Sequence, residues 1–199
     1  MKKFVSVLLV MMLVLGCFAA CGTKVGAEIP TEEGSNATVG PASSLEVLEN
    51  IWNQFGDEEK FPIYGGNPKE NYEETVMDKP AVYDLADENI SFNLLIPADQ
   101  VANVDDVASM TNAMIANNFN AAVYHLTDGT DVQAFCETMY QAVSGNMWIC
   151  GMPDRVIVAA ISNEYVLVVY GVNDAINPFE MHLGTAYPDA VIAYNESLV

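Results

Sequence analysis

Between residues 43 and 199 the hydrophobic positions change period several times, and each change predicts an element. Val47, Leu48, Ile51, Trp52 and Phe55 recur at helical spacing, and Gly56 stops the run. Ser43-Ser44-Leu45-Glu46 opens it as a capping box, in which the Ser43 hydroxyl meets an amide three residues on and Glu46 reaches back. Residues 57–89 hold no period; acidic, with Pro and Gly, they read as mostly loop around Phe61-Pro62-Ile63-Tyr64-Gly65-Gly66. The pattern sharpens from Ile90. It predicts a strand over 91–96, then a helix over about 104–117 with Val104, Val107, Ala108, Thr111, Met114 and Ile115 on one face. A strand over 120–126 comes next. Thr130-Asp131-Val132-Gln133 then caps a helix running to about Ser144, and Gly151-Met152-Pro153-Asp154 makes a turn. Residues 155–161 and 165–170 are β-branched runs joined by Ser162-Asn163-Glu164, a hairpin with Asn163 available for the left-handed position. Asn177-Pro178-Phe179-Glu180 looks like a helix start with Pro at the first position, the helix ending at Tyr187-Pro188. A strand over 190–194 closes the chain.

From Asn120 the expected order is β-α-β-β-α-β, which points to an α+β fold with a ferredoxin-like split βαβ core and extra N-terminal helices and strand. Val156, Val158 and Ala160 on one side of the hairpin and Ile157, Ala159 and Ile161 on the other leave no polar face. A sheet open to water on one side would alternate apolar with polar, so this sheet is covered on both faces. The two later helices are expected on one face, and the helices at 43–55 and 104–117 on the other.

Ahead of that domain, Lys2 and Lys3 precede an apolar run over residues 4–15, broken only by Ser6. The run is short of the ~20 residues a spanning helix needs. It gives way to Ala19-Ala20-Cys21-Gly22. This junction resembles the lipobox of bacterial lipoproteins, although Phe18 stands where that family has Leu, and Val14-Leu15-Gly16-Cys17 is a second candidate box. The resemblance implies a signal peptide over 1–20, cleavage before Cys21 and a diacylglycerol on its thiol. The protein would then face outside the cytoplasm, held to the membrane by lipid. Residues 21–42, rich in Gly, Thr, Glu and Ser, read as a lipidated N-terminus and flexible tether with a reach of ~25 Å. The single domain is residues 43–199. Its hairpin strands, with Tyr165-Val166-Leu167-Val168-Val169, resemble a strand pair in small uncharacterised lipoproteins of clostridia-like bacteria. That second resemblance spans about residues 120–174, implies fold and anchoring, and carries no activity with it.

Charge narrows the partners. The chain has 27 acidic against 7 basic residues, and cleavage before Cys21 removes two lysines and no acid, taking the formal charge from −20 to −22. Such a field repels nucleic acid and anionic headgroups, so no nucleic-acid partner is expected and attachment must come from lipid. Cys136 lies on the helical stripe Val132, Phe135, Cys136, Met139, Tyr140, Val143, which predicts a buried free thiol; no bridge to Cys150 is expected, and no Cys-x-x-Cys exists.

No chemistry-bearing motif stands out. His125 and His182 lack a Gly-x-Ser-x-Gly elbow, Gly65-Gly66 lacks the Gly-Lys-Ser/Thr of a phosphate loop, and Asp128-Gly129-Thr130-Asp131 lacks the spacing of a calcium loop. No cofactor, metal or catalytic residue is therefore assigned. The aromatic residues Trp52, Phe61, Tyr64, Tyr72, Tyr83 and Trp148 suit either a binding surface or the second sheet face. The site candidates are Phe61, Tyr64, Gly65 and Gly66. The leading expectation is a non-catalytic binding module for a protein or small ligand. The alternatives are an envelope-assembly or transport accessory factor, marked by a broad apolar patch, and a wall or glycan hydrolase, marked by convergent carboxylates in a deep cleft. Anchoring is directly testable: Cys21→Ser should release the protein from membranes and abolish diacylglycerol labelling. Labelling that survives in that variant and vanishes in Cys17→Ser would move the site.

Overall fold

The computed structural model describes residues 40–69, 72–149 and 151–199. The lipobox with Cys21, most of the tether, and Cys150 lie outside the described residues. Helix α1 (Ser44–Trp52) starts at Ser43, whose hydroxyl accepts from the Glu46 amide. The Glu46 carboxylate accepts one residue earlier than a capping box requires, from the Ala42 amide at 2.7 Å. The Ser44 amide donates to the Asp106 carboxylate at 2.8 Å, which pins the start of α1 to the sheet.

The sheet is mixed with helices in an α+β fold and has eight strands, all pairs antiparallel. In chain order these are β1 (Ile63–Gly65), β2 (Val76–Met77), β3 (Ala81–Val82), β4 (Val104–Asn112), β5 (Phe119–Leu126), β6 (Arg155–Ala160), β7 (Tyr165–Gly171) and β8 (Val191–Ser197). They lie in the order β2-β1-β4-β5-β7-β6-β8, with β3 also on β4. Helices α2 (Ile90–Asn93), α3 (Val132–Ser144) and α4 (Asn173–Ala186) complete the fold. Among the described residues no helix is long and apolar enough to cross a membrane.

Strands β5 to β7, helix α3 and the hairpin fall where the hydrophobic pattern predicts, and both sheet faces are covered. Five expectations are corrected. Residues 104–112 form a strand, not a helix. A bulge between Val104 and Asp106 inserts one residue, so Val104 and Val107 face the same side three positions apart and imitate helical spacing. Residues 91–96, expected as a strand, are the end of α2 and an irregular segment. The start of α4 is Asn173, five residues before the expected first helical position at Pro178, because Asp154 from another part of the chain accepts from the Asn173 amide at 2.9 Å; Pro178 therefore sits inside the helix. In the hairpin turn, Asn163 does not adopt the left-handed conformation.

The fifth correction concerns the layers. Helices α3 and α4 lie on opposite faces: α1 and α4 pack on one with Phe119, Ile157 and Leu167, while α2 and α3 pack on the other with Tyr124, Val158 and Val168. The crossover β5-α3-β6 steps past β7, and β7-α4-β8 steps past β6 in the same direction across the sheet. Their strands run in opposite senses, so two crossovers of the favoured hand must place their helices on opposite faces.

The first face is locked by a closed circuit of rings. Trp52 meets Phe61 at 5.6 Å, Phe61 meets Phe119 at 5.0 Å, Phe119 meets Phe179 at 5.4 Å, Phe179 meets Phe55 at 6.4 Å, and Phe55 returns to Trp52 at 4.7 Å. On the second face Cys136 is a buried free thiol, and burial pushes its pKa up to about 12. It should resist alkylation in the folded protein near neutral pH and react at once after denaturation, as read by mass spectrometry. Cys136→Ser should lower unfolding free energy by about 1–3 kcal/mol, since a hydroxyl replaces a thiol among apolar neighbours.

Candidate functional site

A cleft of about 380 Å³ opens on the second face, where α2 and α3 leave part of the sheet uncovered. That volume lies within the range of small-molecule sites. Its floor is one cross-strand row. Tyr64 on β1 pairs with Thr111 on β4, Thr111 with Asn120 on β5, and Asn120 with Tyr170 on β7. At ~4.8 Å per strand the row spans roughly 14 Å. Side chains alternate across a strand, so one register row places all four on the same side.

The row is wired to the wall beside it. The Asn120 amide donates to Thr111 Oγ1 at 3.1 Å and to the Asn93 carbonyl at 3.3 Å. The Asn93 amide donates to the Tyr83 hydroxyl, which donates in turn to Asp87 Oδ2, both at 2.8 Å. Asp87 also accepts from the Asn67 side chain and the Asn89 backbone amide. A hydrogen-bonded chain therefore runs from Asp87 to Thr111 and fixes the segment after β3 against the sheet.

Phe92 and Leu95 form one wall, and the segment after α3 forms the other with Asn146, Met147, Trp148 and Ile149. The Asn117 amide donates to the Gly151 carbonyl at 2.9 Å, closing one end. Two costs are concentrated here. Leu95 holds φ at 55°, a left-handed conformation that a branched side chain disfavours. The Trp148 indole, 5.2 Å from the Tyr170 ring, has a buried Nε1–H with no hydrogen-bond partner among the described residues. Among the described residues no acidic or basic side chain lines the cleft, and burial raises the pKa values of Tyr64 and Tyr170, which keeps both phenols neutral.

The site candidates separate. Tyr64 lines the cleft. Phe61 points to the other face and belongs to the ring circuit. Gly65 and Gly66 serve the sheet: a Cβ on either would come within 3.0 Å of backbone atoms in the β3 segment, and Gly66 holds φ at 70°. The close approach and the positive φ that Gly-Gly suggests are both present, and both let β1 and β3 share one edge of β4. Trp52 is buried on the first face with its Nε1 donating to the Asp78 carbonyl, Tyr83 is buried within the cleft's supporting chain, and the Tyr72 side chain lies outside the described residues.

Elsewhere, His125 Nδ1 contacts Asp105 and its ring packs on Tyr165, while His182 Nε2 lies 3.1 Å from Glu59. Neither lines the cleft. A second depression, of about 440 Å³, holds Thr127-Asp128-Gly129-Thr130-Asp131, but Asp131 already accepts from the Ala134 amide as the cap of α3. Among the described residues no group of three or more His, Cys, Asp and Glu side chains is arranged to hold a metal ion.

No protein-family model, curated protein or solved structure matches the chain. The cleft's own chemistry therefore carries the functional reading. It offers hydroxyl, amide and indole groups among ring faces and aliphatic chains, a set that orients a ligand by hydrogen bonds and contact and provides no titrating group near neutrality.

Asp87 anchors this arrangement, and its titration is a readout. The Asn89 backbone amide, then the Tyr83 hydroxyl and the Asn67 amide, hold its pKa down to about 2. Its folded pKa lies below the unfolded value of about 4, so its stabilisation is complete above that value and lost as pH falls toward 2. Asp87→Asn should reduce stability at pH 7 by about 1 kcal/mol after solvent screening, and flatten the stability profile of urea unfolding through that window. Parallel profiles for the two proteins would remove Asp87 from this role.

Proposed function

We propose that the protein is a membrane-anchored extracytoplasmic lipoprotein whose α+β domain is a non-catalytic binding module, taking an uncharged ligand group in the cleft over Tyr64, Thr111, Asn120 and Tyr170. The observation that carries this reading is the contrast between a chain of net charge −20 and a cleft lined by no charged side chain. Acidic residues are abundant, yet every lining position is apolar, aromatic, hydroxyl or amide. A buried indole donor without a partner supports the same reading, because a ligand acceptor would relieve a cost of about 1–3 kcal/mol. The anchoring part rests on the Ala19-Ala20-Cys21-Gly22 junction.

The finer fold reading belongs with this proposal. A split βαβ unit of the ferredoxin-like kind is supported over β5-α3-β6 by the element order and by β7 lying between β5 and β6, while β8 joins beside β6 and α4 lies on the face opposite α3, two departures from that fold. Among the alternatives, the accessory-factor reading gains support from exposed apolar side chains around the cleft. The hydrolase reading calls for convergent carboxylates, and the cleft lining contains none.

The test uses the non-lipidated Cys21→Ser chain, labelled with ¹⁵N, and two uncharged probe sets: N-acetyl dipeptide amides and neutral disaccharides. The Trp148 indole N–H resonance should shift with one of the sets, while that of Trp52, on the opposite face, stays still. If Trp148 ignores both sets, or shifts appear only around Thr127-Asp131, the cleft is not the binding site.

A further inference from the structure

We infer that the occupant of the cleft is a segment of another protein, an extended peptide that inserts an apolar side chain and carries Lys or Arg toward the residue 84–99 side. This inference rests on the binding reading above and adds the class of partner. The cleft mouth holds an unusual share of exposed apolar surface. Phe92, Met147 and Ile149 line it at 82%, 83% and 88% exposure. Exposed Met114 and Ile115 directly precede the lining residue Ala116, and exposed Met152 follows Gly151, which Asn117 ties to the cleft's end. A ligand small enough to fill about 380 Å³ would leave this collar in water. Contiguous apolar surface of that kind marks an interaction with a larger body, and Met side chains adapt their shape to one.

Charge selects among larger bodies. No Lys or Arg occurs between Lys79 and Arg155, a stretch that contributes all of the cleft lining except Tyr64 and Tyr170. The segment that carries Phe92, Asn93 and Leu95 also exposes Asp84, Glu88 and Asp99. A second copy brings the same net charge of −20, and an anionic membrane surface is likewise repelled, whereas basic residues beside an apolar anchor meet a complementary field. A peptide also supplies backbone carbonyls, one of which can accept from the unpartnered Trp148 Nε1–H.

Labelled peptides of about 12 residues sharing an Ala-Leu-Phe-Leu-Ala centre, and carrying Lys, Ser or Glu at one end, test this by fluorescence anisotropy on the Cys21→Ser chain. The Lys peptide should bind about tenfold more tightly than the Ser peptide at low salt, with the Glu peptide weakest. The gap should shrink at high salt as the charges are screened. Met147→Asp with Ile149→Asp should weaken binding at least about tenfold with the circular dichroism spectrum unchanged, because both side chains are solvent-exposed. Asp84→Lys with Glu88→Lys should reverse the preference toward the Glu peptide. Equal binding of the three peptides at low salt overturns the charge argument. If no peptide binds while disaccharides still move the Trp148 resonance, the inference is wrong and the binding reading stands; if neither acts, both fall. Binding to phosphatidylcholine vesicles, or a dimer in sedimentation, that is lost in the Met147→Asp, Ile149→Asp chain would assign the collar to lipid or to a second copy.

Discussion

Strands β5, β6 and β7 bury side chains on both faces, and nearly every other feature of the fold answers that constraint. A strand with no polar side cannot face water, so the chain must supply two covering layers from a limited number of helices. It does so by sending α3 and α4 in the same direction across the sheet from strands of opposite sense, which distributes them to the two faces. The first face also receives α1, and the circuit Trp52, Phe61, Phe119, Phe179 and Phe55 joins both helices, the β1 approach and the sheet in one packed unit. Each such ring buried contributes about 1.5–3 kcal/mol before geometry is considered.

The second face is covered less completely, and the cleft is the result. Its helices are α3 and the four-residue α2, and the rest of its cover is irregular chain. Irregular cover needs hydrogen-bonded bracing, because its backbone groups have no ladder to satisfy them. Asp87, Tyr83, Asn93 and Asn120 provide that bracing, and they end on the polar row of the floor. The same residues that hold the wall in place therefore define the shape of the site. Packing and binding geometry are one problem here.

Much of this architecture was legible in the hydrophobic pattern, and the failures have physical causes. The hairpin, α3 and the two-sided sheet were readable because β-branched runs and a helical stripe around Cys136 are local signals. Strand β4 was misread because its bulge adds a residue and gives Val104 and Val107 the spacing of a helix. The α4 boundary was hidden because its cap, Asp154, lies 19 residues upstream in the chain. Within the cleft, sequence alone points to Tyr64 as a site candidate and to Trp148 among the aromatic residues. Thr111, Asn120 and Tyr170 become neighbours through register alone, which no window of sequence contains. A signal is nonetheless present: Thr111 beside Ser109 on β4, and Asn120 on β5, are polar residues within largely apolar strands, and a buried polar residue asks for a partner across the sheet.

Two energetic costs fall on the cleft, one on each of its walls. Two non-glycine residues adopt positive φ, Asp78 and Leu95 among the described residues. Asp78 sits in a turn, where a short polar side chain tolerates that conformation, while Leu95 has no such excuse and lines the cleft. Its strain of about 1–2 kcal/mol is held by Leu94 and Ile96, both buried on either side of it. Across the cleft, Trp148 keeps a buried N–H without an acceptor. Against a typical domain stability of about 5–15 kcal/mol these are not trivial losses. Strain at Leu95 sets the position of the wall and cannot be recovered by a ligand that leaves the backbone unchanged. The indole donor is different, because an acceptor placed in the cleft would remove its cost without moving the fold, so under the proposed binding reading Trp148 is the residue that couples occupancy to stability.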